Sequence, residues 1–255
     1  MSLALILSDV HHGEDAQRVQ GSAAWPLFER FLEGVEAQQP ELLIDLGDRI
    51  NAADGPKAER FMAEVAEEFR HVGVHRVHVQ GNDDTVPKPQ QETLLGTPLG
   101  NQVFELGGWL LVFLETYDGS VEGAMSEDTL DWLEKTLATS TQPAILFSHQ
   151  PLDGEPFPGN VFFGGEFRHE AHPKGHQALR RMLARSDRVK LSVAGHAHEG
   201  RAVTIDGVLY VTLDALVPFV GEARREVTYA LLALTEGLAR LETFGLESRM
   251  FEVAG

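Results

Sequence analysis

The chain has 255 residues, of which 43% are hydrophobic, and a formal net charge of −18. This apolar content excludes a disordered chain, and the acidic surface disfavours duplex nucleic acid and anionic membranes as partners. The absence of cysteine excludes disulfides and thiolate metal sites, and leaves His, Asp, Glu and Asn as the available metal ligands.

No stretch of the sequence is typical of a membrane span. The longest apolar runs, Leu3–Leu7 and Trp109–Leu114, are far shorter than the roughly 18 residues that a spanning helix needs. The N-terminus lacks the basic region and the small-residue cleavage site of a signal peptide. We therefore expect a location in the cytoplasm. No obvious interdomain linker divides the sequence, so we expect a single domain over residues 1–255.

The first part of the chain alternates short apolar runs with helical patterns. We predict strands at Leu3–Ser8, Glu41–Leu46 and Arg76–Val79. The intervening segments Trp25–Val35 and Lys57–His71 have helical spacing. This βαβαβ order predicts a largely parallel sheet covered by helices.

The second part of the chain adds hairpins, and the simplest arrangement of the whole is a four-layer α/β/β/α sandwich of two facing mixed β-sheets flanked by helices. The predicted strands and helices here are a hairpin at Gln102–Leu106 and Trp109–Glu115, a helix from Glu127 to about Ala138, a strand at Ala144–Ser148, a helix at Lys174–Arg185, a strand at Arg188–Ala194, and hairpins within Ala202–Leu213 and Glu226–Phe244.

Polar side chains with metal-binding chemistry follow five of the predicted strands. Because ligands of open α/β sheets bind beyond the carboxyl ends of the strands, we expect these side chains to gather at one edge. Imidazole and carboxylate together suit Mn, Fe, Zn or Co better than Ca or Mg. The set is large for one ion and about right for two ions bridged by a carboxylate. Its members are Asp9, His11, Asp48, Asn82, His149, His196 and His198.

Each motif alone has an ordinary explanation, since Asp-x-His occurs by chance and Gly-Asp is a common turn. Five motifs in order, each at a strand end, are much harder to obtain by coincidence. The ordered set SDVH, LGDR, QGND, FSHQP and AGHAH resembles the calcineurin-like metallophosphoesterase superfamily, in its cyclic-nucleotide phosphodiesterase-like or purple acid phosphatase-like branch. The resemblance extends from Asp9 to His198.

The resemblance implies two facing β-sheets flanked by helices and two divalent or trivalent transition-metal ions. These would be Mn, Fe or Zn, and we expect Mn to support activity best. By the same resemblance, one group of residues holds the first ion and a second group holds the other ion. Asp48 bridges the two ions. The first group is Asp9, His11 and His198, and the second is Asn82, His149 and His196.

The chain departs from the family pattern at Asp83, where the family usually has a His that contacts the phosphate and is thought to protonate the leaving oxygen. An ordinary Asp, with a pKa of about 3.9, is ionised at neutral pH. Three alternatives stay open: Asp83 has a raised pKa and acts as the acid, His12 supplies the proton, or no strong acid exists. We favour the third, because general acid catalysis contributes typically about 10²–10⁴-fold and its loss need not abolish activity.

The resemblance implies hydrolysis of small phosphate esters by attack of a metal-bridging hydroxide. We expect a phosphodiesterase of nucleotides or cyclic nucleotides, with a phosphomonoesterase or a nucleotide pyrophosphatase as alternatives. A catalytically weak binding scaffold with the same fold is the alternative of another class.

We expect substrate contacts from Arg49, which follows Asp48, and from Arg168 and Phe163 in the long loop Gln150–Pro173. The expected partner is a small phosphorylated molecule rather than duplex nucleic acid or a membrane. The sequence leaves a homo-oligomer open.

Overall fold

The structure, a computed structural model, describes residues 1–52, 54–120, 122–224 and 226–255. In this part of the chain, no helix is both long and apolar enough to cross a membrane. The helices are α1 (Ala24–Gln38), α2 (Gly55–His71), α3 (Lys88–Leu95), α4 (Glu127–Thr139) and α5 (His176–Leu183). The strands are β1 (Ser2–Leu7), β2 (His12–Gly13), β3 (Asp15–Ala16), β4 (Val19–Gln20), β5 (Leu42–Asp45), β6 (Ile50–Asn51), β7 (His75–His78), β8 (Gln102–Leu106), β9 (Trp109–Phe113), β10 (Ala144–Ser148), β11 (Val189–Ala194), β12 (Arg201–Ile205), β13 (Val208–Thr212), β14 (Tyr229–Thr235), β15 (Leu238–Phe244) and β16 (Arg249–Ala254).

Two six-stranded mixed sheets carry most of these strands. The first has the order β16-β15-β14-β1-β5-β7, in which β1, β5 and β7 are parallel and β14 to β16 are antiparallel. The second has the order β12-β13-β11-β10-β9-β8, with β9, β10, β11 and β13 parallel. The predicted βαβαβ segment thus forms half of one sheet, and the hairpins extend both sheets.

The two sheets face each other across an apolar core. Ile6 and Ile44 from the first sheet belong to the same buried cluster as Phe113 and Phe147 from the second. Successive strand residues point to opposite faces, so Leu5 of β1 lies on the other face, in a cluster with residues of α1 and α2. A third cluster joins the outer face of the second sheet to α4 and α5. These clusters produce the predicted four layers.

The structure also contains elements that the sequence patterns did not predict. Helix α3 begins after Pro87 and ends at Gly96, whose φ of 74° gives it the left-handed conformation common after helices. Strand β16 forms one edge of the first sheet, and four of its six residues are exposed. Both elements are short or mostly exposed, so their hydrophobic periodicity is weak.

Parallel strands place all five predicted ligand loops at one edge of the molecule. Strands β1, β5 and β7 of the first sheet, and β10 and β11 of the second, end in the same direction within each sheet. The segments that follow them therefore meet at the rim between the sheets.

Candidate metal centre

Backbone hydrogen bonds join the loops that carry the predicted ligands. The Asp9 amide donates to the Gly47 carbonyl (3.0 Å), and the Gly195 amide donates to the His149 carbonyl (2.9 Å). The His196 amide donates to the Asp9 carboxylate (3.0 Å), which connects the two sheets. The main chain therefore fixes the positions of the ligand loops relative to one another.

Two glycines allow these loops to approach closely. A Cβ atom at Gly195 would lie 1.7 Å from the Ser8 Oγ, and one at Gly81 would lie 2.1 Å from the Asp48 Oδ1. Neither distance is compatible with a side chain, so the close packing of the ligand loops requires glycine at both positions.

Five of the seven predicted ligands have left-handed backbone conformations. This region is uncommon for residues other than glycine, although Asp and His are enriched there, and strained conformations cost on the order of 1–3 kcal/mol each. Such strain clusters at functional sites because the surrounding structure must hold it. The φ angles are 57° at Asp9, 45° at His11, 55° at Asp48, 68° at His196 and 52° at His198.

The first group of predicted ligands converges on one point. The His11 Nε2 and His198 Nε2 atoms lie 3.1 Å apart. The Asp9 Oδ1 atom lies 3.4 Å from the His198 Nε2 and 3.8 Å from the His11 Nε2. All three side chains are buried.

The second group converges beside it. The His149 Nε2 atom lies 3.0 Å from the Asn82 Oδ1, 3.2 Å from the Asp48 Oδ2 and 3.2 Å from the His196 Nδ1. The structure therefore brings all seven predicted ligands together, and their binding of ions stays a prediction.

Hydrogen bonds to carbonyls orient the two imidazoles of the second group. The His149 Nδ1 donates to the Leu46 carbonyl (2.8 Å), and the His196 Nε2 donates to the Glu170 carbonyl (3.0 Å). When both imidazoles are neutral, the remaining nitrogens present lone pairs to each other across 3.2 Å. Two facing acceptors need a positive charge between them, and such carbonyl partners are typical of metal-binding histidines.

The Asp48 Oδ2 atom lies between the two groups, 3.6 Å from the His11 Nε2 and 3.2 Å from the His149 Nε2. Atoms bound at about 2.0–2.2 Å to one tetrahedral or octahedral ion lie roughly 2.9–3.6 Å apart. The observed separations match this range at most pairs. The donor set therefore fits two transition ions that share Asp48.

The electrostatics of the site favour positive charge near His149. Burial lowers the pKa of His149, but the Asp48 carboxylate outweighs burial and raises the pKa to about 10. Burial lowers the pKa of His11 to about 4, and burial with the cationic His149 lowers that of His196 to about 3. Histidines held neutral are ready metal ligands, since neutral imidazole is the form that binds.

Asp83 faces the same space as the ligands. Its amide donates to the Asp48 Oδ1 (2.7 Å), and its Oδ2 lies 3.8 Å from the His11 Nδ1. Burial and the neighbouring Asp48 carboxylate raise the pKa of Asp83 to about 8. Bound cations act in the opposite direction and favour the carboxylate.

The structure corrects the expected phosphate contact of Arg49. Its fully buried guanidinium donates to Asp45 (2.6 Å), to Asp84 and to the Val79 carbonyl (2.7 Å). The Asp84 carboxylate also accepts from the Asp48 amide (3.2 Å). Arg49 thus supports the loop of the bridging ligand and does not reach the pocket.

The structure also corrects the expected role of His12 as a proton donor. The His12 Nε2 lies 2.7 Å from the Glu64 Oε2, and the ring contacts Trp25 and Phe61. Strand β2, which contains His12, pairs with β6. The side chain of His12 thus lies against α1 and α2, and it is not among the residues that line the pocket beside His11.

A pocket of about 410 Å³ opens above the ligands. Phe163 is part of its wall and stacks on the His196 ring at 4.7 Å, as its prediction as a substrate contact requires. Arg168 is exposed in the same loop and is not among the residues that line this pocket, and its contact with the substrate stays a prediction. The pocket is lined by His11, Gln17, Arg18, Val19, Asp48, Asn82, Asp83, Val161, Phe162, Phe163, Phe167, Glu170, His196 and His198.

Sequence reasoning missed Arg18, and it selected Phe163 alone among the aromatic residues of the long loop. Arg18 lies in the segment between β1 and α1, where no motif marks it. Phe162 and Phe167 belong to the long loop after His149, whose aromatic content was the available signal. The ring of Phe162 contacts that of His198 at 5.0 Å.

Comparisons with known proteins agree with this geometry. Residues 3–200 match the calcineurin-like phosphoesterase family. The chain is 26% identical over 211 residues to a probable cyclic nucleotide phosphodiesterase of a Synechococcus strain, covering 80% of this chain and 77% of that protein. It is 26% identical over 206 residues to a 3′,5′-cyclic adenosine monophosphate phosphodiesterase of Pseudomonas aeruginosa, covering 77% and 70%. The crystal structure of a dimetal phosphatase from Danio rerio has the same fold, with a TM-score of 0.80, 16% identity and coverage of 99% and 98%.

Proposed function

The chain belongs to the calcineurin-like phosphoesterase family, and we propose that it hydrolyses phosphodiesters of small nucleotides at a centre of two transition-metal ions. Membership of the family makes it a hydrolase of phosphoesters. The names of the two relatives, both cyclic nucleotide phosphodiesterases, support a nucleotide diester as the substrate and cyclic nucleotides as the first compounds to test.

One observation carries the proposal: the convergence of two ligand groups on the shared Asp48 Oδ2 atom, at the floor of an open pocket. The pocket volume of about 410 Å³ falls in the range of roughly 300–1,000 Å³ that is typical of small-molecule sites. A mononucleotide fits this size, whereas a folded macromolecule does not.

When bound, two such ions supply a water of lowered pKa and positive charge for the phosphoryl oxygens. The chain's own residues supply the rest. His149 and His196 are held by carbonyls with one nitrogen directed inwards, so no reorganisation is needed when the substrate arrives. Phe162 and Phe163 pack against the rings of His198 and His196 and shield that side of the floor from water.

We assign no strong-acid role to Asp83. The residue lies close to Asp48 and His11, so bound cations stabilise its carboxylate form, which cannot donate a proton. The reaction is then faster with leaving groups that depart as stable anions. We expect nitrophenyl esters and phosphoanhydrides to react much faster than alkyl esters.

The test is a substrate panel with the purified protein and Mn²⁺. The panel contains bis(p-nitrophenyl) phosphate, p-nitrophenyl phosphate, cyclic nucleotides, mononucleotides and dinucleotides, and metal content is measured in parallel. We expect about two ions per chain, clear hydrolysis of bis(p-nitrophenyl) phosphate, and slower turnover of the monoester. A protein that binds manganese but leaves every diester intact would contradict the proposal and favour a binding scaffold.

A further inference from the structure

We propose that Arg18 and the exposed apolar side chains beside it form a subsite for a second phosphoryl group and its attached nucleoside. This inference rests on the proposed function and adds nucleotides that contain a phosphoanhydride to its substrate class. Cyclic mononucleotides remain substrates under the proposal, but they do not use Arg18.

The turn that presents Arg18 is held in an unusual conformation. Strands β3 and β4 form a two-residue hairpin whose turn residues, Gln17 and Arg18, have φ angles of 50° and 71°. Such turns normally contain Asn or Gly, so two long side chains here carry a conformational cost. The Val220 amide donates to the Arg18 carbonyl (2.8 Å), and the Gln20 amide donates to the Pro218 carbonyl (2.8 Å). These bonds fix the strained turn at the pocket.

The guanidinium of Arg18 has free hydrogen-bonding capacity. Its NH1 donates to the Val161 carbonyl (2.9 Å). Across the described ranges, no carboxylate lies within 4.0 Å of this guanidinium, although the chain has a net charge of −18. Among the pocket-lining residues that the structure describes, Arg18 is the one Arg or Lys. An unpaired guanidinium with a planar set of donors suits a phosphoryl oxygen pair.

Apolar side chains beside Arg18 are exposed to the pocket. Val161 is 44% exposed and Phe167 is 54% exposed, and both line the pocket with Arg18. In contrast, Phe163 is 8% exposed and packs within a core cluster. Exposed apolar surface that is rimmed by polar groups marks a binding site, and an aromatic ring there suits stacking on a nucleobase.

A leaving group that contains the second phosphoryl group also agrees with the absence of a strong acid beside the predicted ligands. Hydrolysis forms a bond from the water oxygen to the reacting phosphorus and breaks the bond from that phosphorus to the bridging oxygen. The electron pair of the broken bond leaves with the second phosphate, and the water protons pass to the products or the solvent. A phosphate leaves as a stable anion, so no strong acid is needed, which matches Asp83 in place of His.

A binding experiment tests the subsite without any turnover. α,β-Methylene-ADP, which has two phosphoryl groups and cannot be hydrolysed between them, and AMP are titrated calorimetrically into the Mn²⁺-loaded protein. We expect Arg18→Gln to weaken α,β-methylene-ADP about 10- to 100-fold, the range for hydrogen bonds to charged groups. AMP should change less than about threefold. Phe167→Ala should weaken α,β-methylene-ADP by about tenfold and change AMP less.

Kinetics provide the second readout. Diadenosine pyrophosphate is compared with the p-nitrophenyl ester of AMP, which has one phosphoryl group and a good leaving group. Arg18→Gln should lower kcat/KM for the pyrophosphate about 10- to 100-fold and leave the nitrophenyl ester nearly unchanged. The matched control is Arg188→Gln, because Arg188 is another arginine whose NH1 donates to a single carbonyl, that of Thr141.

The outcomes separate the two proposals. Equal weakening of both nucleotides by Arg18→Gln would mean that Arg18 only holds the Val161 loop, and this overturns the inference, as does an unchanged affinity for α,β-methylene-ADP. Selective weakening in a protein that hydrolyses no diester would support the subsite and overturn the proposed function.

Discussion

The floor and the wall of the pocket are held by different means. The floor consists of the predicted ligands, most of them buried, on strained, hydrogen-bonded loops at the ends of parallel strands. The wall consists of a two-residue hairpin and a loop after β10, which meet through the bond from Arg18 to the Val161 carbonyl. The loops of the floor bond to one another through their main chain, whereas the two parts of the wall meet through a side-chain bond.

The largest expected effect comes from breaking the floor at its centre. Asp48→Asn removes one charge from the oxygen that lies between both ligand groups. We expect kcat/KM for bis(p-nitrophenyl) phosphate to fall at least about 10³-fold, because the charge stabilisation of a two-ion centre depends on both ions. Bound manganese, measured by mass spectrometry, should fall below two ions per chain.

The matched control is Asp131→Asn, which makes the same chemical change at an exposed position of α4. It should preserve both metal content and turnover. Full activity of Asp48→Asn with two bound ions would show that Asp48 does not bridge.

The floor also depends on a buried residue that does not line the pocket. Arg49→Met leaves the buried Asp45 and Asp84 carboxylates without their cation. Removing one partner of a buried ion pair costs about 3–5 kcal/mol, and we expect this loss in the free energy of unfolding by urea. Arg49→Lys, which keeps the charge but not the planar donors, should lose less. A loss below about 1 kcal/mol for Arg49→Met would contradict the supporting role of this network.

Removing the ions should weaken the floor without any mutation. A ligand present at 100 times its Kd stabilises the native state by about 2.7 kcal/mol. For a chain of this size, this corresponds to a rise in Tm of about 5–10 °C. Calorimetry with Mn²⁺ and with EDTA measures the difference, and a Tm that does not respond would mean that these residues hold no ion.

Asp83 lies in the floor beside Asp48 and His11, and its replacement tests whether the floor lacks a strong acid. Asp83→His restores the family's usual donor, and we expect alkyl phosphodiesters to react about 100-fold faster, at the low end of general acid catalysis. Nitrophenyl esters, which need no proton, should change little. The isosteric Asp83→Asn should match the wild type on both substrates. A selective loss of alkyl ester turnover in Asp83→Asn would show that Asp83 itself donates the proton.

The floor could be predicted from the sequence because its residues occur in short local motifs. Asp9, Asp48 and His149 each directly follow a strand or a strand-ending glycine, so a strand prediction also predicts their position. The parallel order of the strands then brings distant motifs to one edge. The buried central strands of the two sheets were predictable because they are strongly apolar.

The wall could not be predicted in this way because tertiary contacts create it. Arg18 has no motif, and its place depends on backbone bonds to Pro218 and Val220, far away in the chain. Arg49 shows the opposite error: its position next to Asp48 suggested a phosphate contact, but two buried carboxylates bind it instead. Nearness in sequence indicates the loop on which a residue lies, and does not indicate the direction of its side chain.

The smallest expected effect concerns Asn160, which organises the wall. Its Oδ1 accepts from the Phe162 and Phe163 amides (2.9 Å each), and its Nδ2 donates to the Ala197 carbonyl (2.9 Å), between two predicted ligands. Asn160→Ala should cost about 1–2 kcal/mol of stability. It should also raise KM for nucleotides several-fold, because the backbone of Phe162 and Phe163 loses the bonds that hold it in place. Metal content and kcat should stay close to wild type, since the substitution does not change the loops that carry the predicted ligands.

The control for this variant is Asn101→Ala, which removes a similar side chain that bonds Thr129 and the Glu115 amide at another place in the fold. It should cost comparable stability without raising KM. If Asn160→Ala instead lowered metal content and kcat together, the wall would support the metal centre. The floor and the wall would then not be separate parts of the site. If KM rose for nucleotides but not for bis(p-nitrophenyl) phosphate, the wall would act on the nucleoside alone, because the reacting phosphoryl group is common to both.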